Sequence, residues 1–204
     1  ATTWDDVSKQ INKSSSFGGE LDKTGYFMDD LLKVIETSSD EYQRVSSIYN
    51  YIKSKVTWNE YYGKYTDKGV KKAYNDGIGN AAEINLILTA MLRSAGLNAN
   101  PVLVSTKTNG IPLFPTLNGF NYVISMVEFT DNSYILLDAT EPYAVPNILS
   151  PKALNWNGRK IEKDGTSSWV KLTPNKPSLE SNIITLKISD DNSIEGSMTS
   201  SFSD

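Results

Sequence analysis

The chain has 204 residues, of which 39% are hydrophobic and 22% charged, and carries a formal net charge of -4. That balance fits a folded protein with one main core and room for a small second module, and it leaves no basic field to attract a nucleic-acid backbone. Cysteine and histidine are both absent, which excludes thiolate and imidazole catalysis and zinc centres built on those side chains. No metal site and no cofactor is expected.

Along the chain, Thr3 is placed to cap a short helix running to Ile11. The Ser- and Gly-rich stretch from Ser14 to Gly19 reads as a loop. Helical periodicity then predicts one helix over Gly25 to Glu36, with Phe27, Leu31, Leu32 and Ile35 inward. A second runs over Asp40 to Lys55, with Val45, Ile48, Tyr49 and Ile52 inward and a capping-box-like start at Asp40 and Gln43. After Trp58 comes a Tyr-rich loop, Asn59 to Tyr65, then a short helical piece around Val70 to Tyr74. Lys68, Lys71 and Lys72 form the one local group of basic residues.

The clearest element is a helix over Ala81 to Ala95. Ile84, Ile87, Leu88, Met91, Leu92 and Ala95 recur at helical spacing, Asn80 and Glu83 mark its start, and Gly96 marks its end. From Pro101 the period becomes that of strands: Val102 to Thr106, Phe120 to Phe129 and Tyr134 to Asp138, the last two joined as a hairpin by Thr130 to Ser133. Beyond Pro151 the chain reads as loop until Trp169 to Leu172. After a break at Pro174 to Pro177, Asn182 to Ser189 and Ile194 to Thr199 read as a further strand pair, turning at Asp190 to Ser193 without the ligand spacing of a calcium loop. Helices first and antiparallel strands after is an α+β order. Domain limits are expected at 1–165 and 166–204, the second being a C-terminal β segment and the possible start of a further β domain.

Three ordered motifs carry a family resemblance. Gly79-Asn80-Ala81-Ala82-Glu83-Ile84-Asn85, followed by Ala90-Met91-Leu92-Arg93-Ser94-Ala95-Gly96-Leu97, resembles the Gly-Asp-Cys turn and Leu-Arg-x-Ala-Gly helix of the transglutaminase-like family of papain-type folds. Phe120-Asn121-Tyr122-Val123-Ile124 stands where that family reads Asn-His-Val. Tyr134 to Asp138, continued by Ala139 and Thr140, stands where it reads a strand ending in Leu-Asp-x-Thr. The resemblance covers Trp4 to Lys160 and is sharpest between Gly77 and Thr140. It implies a papain-like core with N-terminal helices packed on an antiparallel sheet. The branch it is most similar to occurs in large bacterial envelope proteins, which implies a periplasmic or cell-surface location and flanking β domains in the same polypeptide.

Carried over position by position, the resemblance puts Ala81 where the family has its nucleophilic Cys, Tyr122 where it has His and Asp138 where it has Asp. A methyl group replaces the thiolate that a helix N-terminus would stabilise, and a phenol is a poor general base at neutral pH. The implied protein is a pseudoenzyme: a binding or scaffold module whose cleft is lined by Trp58, Asn80, Tyr122 and Asp138 and takes an unidentified protein, peptide or glycan.

Each of these residues also has a bland reading. Asn80 and Glu83 satisfy a helix start by themselves, and Tyr122 can fill the imidazole's space and hydrogen-bond Asp138. Trp58 can be core, and Tyr61, Tyr62 and Tyr65 can be loop packing rather than a sugar platform. The alternative functions are a carboxylate enzyme, such as a glycosidase or lyase using Asp138 or Glu83, and a structural linker between β domains. Apolar runs stay well short of the ~20 residues a membrane span requires, and Ala1 opens neither a signal peptide nor a lipidation motif, so the start reads as processed or trimmed.

Overall fold

A computed structural model describes residues 3–173 and 179–203, which fall in two compact units dividing after Thr173. The expected break at Pro174 to Pro177 lies outside the described residues.

In the first unit, α1 (Trp4–Asn12) starts with a complete capping box: Asp6 N–H donates to Thr3 Oγ1 at 3.1 Å and Thr3 N–H donates back to the Asp6 carboxylate at 3.0 Å. The stretch expected to be loop includes one helical turn, α2 (Gly18–Leu21), because Phe17 and Leu21 anchor it in the core. α3 (Met28–Ile35) starts later than expected and turns Leu31 inward, while Leu32 is 61% exposed. A helix this short offers the core one narrow stripe, and Leu32 lies about 100° round from Leu31. α4 (Glu41–Lys55) buries Val45, Ile48, Tyr49 and Ile52. Asp40 caps it by accepting Gln43 N–H at 2.8 Å, but the Gln43 carboxamide turns to Ser39 N–H at 3.0 Å, so the reciprocal bond misses the cap by one residue.

β1 (Thr57–Trp58) and β2 (Ile78–Gly79) form a short parallel pair that draws α5 (Val70–Asp76) between them to the start of α6 (Ala81–Ser94). Every residue of α6 from Ala81 to Leu92 is buried, which makes it the central helix of the unit, covered on all sides rather than along one stripe. Its end is a Schellman motif, with Leu97 N–H on Leu92 O at 3.1 Å and Gly96 N–H on Arg93 O at 3.0 Å. Gly96 has φ +80, a conformation glycine adopts without a Cβ penalty.

The sheet is antiparallel throughout and five-stranded, in the order β5 (Tyr134–Leu137), β4 (Tyr122–Glu128), β3 (Asn98–Val104), β6 (Asn157–Ile161), β7 (Ser167–Lys171). Strand alternation divides its side chains. Ala99, Leu103, Val123, Val127 and Leu137 join the helical core, while Val102, Val104, Tyr122, Ile124 and Met126 join a second cluster covered by Leu149 and Ala153. The expected loop after Pro151 hides β6. Its sequence, Asn-Gly-Arg-Lys-Ile, has no strand signature, and polar contacts help to hold it: Arg159 with Asp5 at 2.6 Å, and Lys160 with Glu128 at 2.9 Å and Glu162 at 2.6 Å. Because β6 and β7 form a hairpin across residues 162–166, the compact unit runs past the expected 165/166 division to Thr173.

The second unit is one hairpin, β8 (Leu179–Ile188) with β9 (Ile194–Ser203). Ile184 pairs with Met198 and Ile188 with Ile194, all exposed. At its turn, Asp191 Oδ1 accepts from the Ser193 N–H and hydroxyl, and Asn192 has φ +62.

Candidate functional site

The start of α6 is over-determined. Asn80 Oδ1 accepts Glu83 N–H and Glu83 Oε2 accepts Asn80 N–H, both at 2.8 Å. The other Glu83 oxygen accepts three successive loop amides, Asp67 at 3.1 Å, Lys68 at 2.7 Å and Gly69 at 3.1 Å. Glu83 is fully buried, so these four donors replace its water. Gly79 permits the approach, since a Cβ there would lie 3.0 Å from both the Cβ and the Oε2 of Glu83. The Asn80 carboxamide is committed at its other end too, donating to Tyr65 O at 3.0 Å. The ligand contact expected of Asn80 therefore gives way to a capping role.

One residue on, Ala81 N–H donates to Tyr61 O at 3.2 Å, and the Trp58 indole N–H donates to the same carbonyl at 3.1 Å. The loop after Trp58 thus folds over the helix start, and Ala81 is fully buried.

Across the helix start, β4 and the end of β5 supply Tyr122 and Asp138, which are 0% and 2% exposed. The Tyr122 hydroxyl donates to Asp138 Oδ2 at 2.9 Å and lies 2.8 Å from Thr140 Oγ1. Asp138 Oδ1 accepts from the Asn85 amide at 3.0 Å, from Thr140 N–H at 3.1 Å and from the Thr140 hydroxyl at 2.9 Å. Asn85, buried in the middle of α6, also donates to Val123 O and accepts Ala139 N–H, each at 3.0 Å, so one carboxamide clamps helix to sheet. Burial and then the Asp138 charge push the Tyr122 hydroxyl far above the ordinary phenol range. The phenol stays neutral, and the Thr140 hydroxyl beside it is itself committed to Asp138 Oδ1.

Above this network, Lys152 Nζ sits 3.9 Å from the Trp58 ring centre and 5.5 Å from that of Tyr122. It pairs with Glu141 and lies 3.4 Å from Thr140 Oγ1. Tyr62 packs against Trp58 with centroids 5.6 Å apart and against Tyr122 at 5.7 Å.

A family model described as the transglutaminase-like superfamily matches residues 30–139, more than half of the chain, and the match contains Ala81, Tyr122 and Asp138. The chain belongs to the transglutaminase-like superfamily. No curated protein matches it. Among solved structures, a candidate protease from Parabacteroides distasonis aligns with a TM-score of 0.58 at 16% identity, over 85% of this chain and 32% of that one. A candidate cysteine protease from Cytophaga hutchinsonii aligns at 0.44 and 11% identity, over 95% of this chain and 57% of that one. The chain thus spans about a third of the Parabacteroides protein, and the likeness shows the fold.

In this transglutaminase-like domain the three residues that the resemblance sets at triad positions come together, with Ala81 and Tyr122 in one buried cluster and Tyr122 bonded to Asp138. The expected open groove between the helix and the Tyr122 strand is instead filled by Tyr62, Trp58 and Lys152. Trp58 remains half-buried at the rim. Glu83 and Asp138, the carboxylates considered for glycosidase or lyase chemistry, are not brought face to face, because Glu83 is turned into the 67–69 loop. Sequence reasoning missed Asn85, Thr140, Glu141 and Lys152 as members of the network. Asn85 had a legible signal, a carboxamide inside an otherwise apolar helical run. Thr140 stood inside a quoted motif, and nothing local marks Lys152 or Glu141.

Proposed function

We propose that this domain is a catalytically inactive member of its superfamily, serving as a binding or scaffold module of a larger bacterial envelope protein. The observation that carries the reading is the Tyr61 carbonyl on the Ala81 amide. A working site of this kind draws on the amides of a helix N-terminus to hold a thiolate, and here that amide is already bonded while the side chain is a methyl group. The carboxylate at the family's Asp position is likewise engaged within the fold, since Asp138 holds Tyr122, Asn85 and Thr140. Binding then belongs on the outer surface of the loop that closes the cleft. The flanking β domains and the periplasmic or cell-surface location implied by the family resemblance belong to the same proposal.

The test is turnover by the purified chain of a glutaminyl peptide with an amine donor, and of an unfolded protein substrate. No turnover above the blank is expected, including from Ala81→Cys combined with Tyr122→His, because the pocket is repacked and about 1 Å of misplacement costs on the order of a hundredfold. Turnover that Asp138→Asn abolishes would overturn the reading.

A further inference from the structure

We infer that the loop closing the old cleft carries a binding site for a neutral oligosaccharide on its outer face. This rests on the non-catalytic reading above and names the ligand class. A hollow of about 560 Å³ is lined by residues 59, 61, 62, 65–68 and 80, and a second of about 330 Å³ by residues 62–65, 118, 120 and 121. They share Tyr62 and Tyr65, so tyrosine side chains border both.

Tyr61 is 73% exposed, and Tyr62 keeps 48% of its surface open while its ring packs on Trp58 and Tyr122. The loop that presents them is held in shape. Asn59 Oδ1 accepts Tyr61 N–H at 3.1 Å, and Tyr61 O takes both the Trp58 indole and the Ala81 amide. Between them Glu60 stands at φ +68, in the left-handed region, a strained conformation for a residue other than glycine. Such order lowers the entropic cost of binding.

The lining chooses among ligands. In the larger hollow the side chains are Asn, Tyr, Thr, Asp and Lys, with no Ala, Val, Leu, Ile or Met, so the three tyrosines are its largest apolar groups. An amphipathic helix would find no aliphatic groove for its apolar face, whereas a proline-rich segment would compete for the same ring faces, and the decaproline titration decides between it and a saccharide. A pyranose ring offers a flat C–H face for a tyrosine and a girdle of hydroxyls, each both donor and acceptor, for carboxamide, carboxylate and phenol groups at the rim. Charge argues against an acidic polymer. Lys68 Nζ is turned to Asp76 at 3.7 Å, and Lys64 Nζ is bonded to Phe120 O at 3.0 Å, while the Asp67 side chain is exposed at the edge.

The experiment titrates the purified chain with cellotetraose, xylotetraose and chitotetraose, and separately with a decaproline peptide, following aromatic fluorescence and amide NMR shifts. At least one of the three saccharides is expected to bind with micromolar to millimolar Kd. Tyr61→Ala should weaken it about tenfold, since a lost aromatic contact removes roughly that factor, and Tyr61→Phe, which keeps the ring face, should bind within about threefold of the parent. Only main-chain atoms of Tyr61 are used in the roof, so the alanine variant should fold. Asp67→Ala supplies a second test on an exposed side chain and should also weaken binding. The inference is overturned by three saccharides that do not bind at about 10 mM, by binding that neither alanine variant changes, or by binding of decaproline alone. Absence of saccharide binding would leave the inactivity of the domain standing. Release of new reducing ends from a bound saccharide would keep the site and overturn the non-catalytic reading.

Discussion

Tyr122 is held as a structural residue. Its hydroxyl is fully buried, donates to Asp138 Oδ2 at 2.9 Å and has Thr140 Oγ1 at 2.8 Å. Removing that oxygen leaves Asp138 Oδ2 short of its side-chain donor in a dry site, which should cost about 1–3 kcal/mol. Tyr122→Phe is therefore expected to lower unfolding free energy in urea by that amount with an unchanged slope, and a change under about 0.5 kcal/mol would show the network to be dispensable. The Tyr122 to Asp138 bond was legible in the sequence, because both residues fall in motifs whose order fixes their neighbourhood. Its other half was not. Asn85 could be read as a capable donor inside a helix, but which acceptor it reaches depends on the helix's rotation against β4 and β5, and no local pattern reports that. Lys152 reaches the site from a loop between β5 and β6, where nothing in the sequence sets direction.

α6 is the element on which the site is built, and it was the most legible, since its cap, its apolar period and its terminating glycine agree. The sequence could not show that its capping glutamate has a second duty. Glu83 accepts the Asn80 amide and the three amides of residues 67–69 with no exposure to solvent, so it joins the helix start to the loop leading into α5. Glu83→Ala would remove the acceptor of one buried and three part-buried amides and is expected to cost about 3–5 kcal/mol, a loss large enough to show as a drop of many degrees in Tm. A cost of about 1 kcal/mol, that of an ordinary cap, would mean that the 67–69 loop finds other partners. β6 marks the opposite limit of legibility. A strand with one aliphatic residue is made by its partners β3 and β7 and by ion pairs to α1 and β4, contacts that only the assembled fold supplies.

For the molecule, the α+β architecture and the meeting of Ala81, Tyr122 and Asp138 followed from motif order, whereas the state of the cleft did not. The sequence suggests that a thiol introduced at Ala81 would be acidified by the helix start and react faster than an ordinary cysteine, provided solvent reaches it. The fold does not meet that condition, because Ala81 is fully buried, its amide is taken by Tyr61, and Tyr62 and Lys152 pack on the Tyr122 ring of the same cluster. Closure of this cleft is the core of the account, and the most direct measurement of it is iodoacetamide labelling of Ala81→Cys, with circular dichroism to verify the fold. Labelling of the native variant is expected to be at least about a hundredfold slower than that of the same thiol in denaturant at equal pH, proceeding only as the site opens. Native-state labelling as fast as, or faster than, the denatured control would contradict a closed cleft.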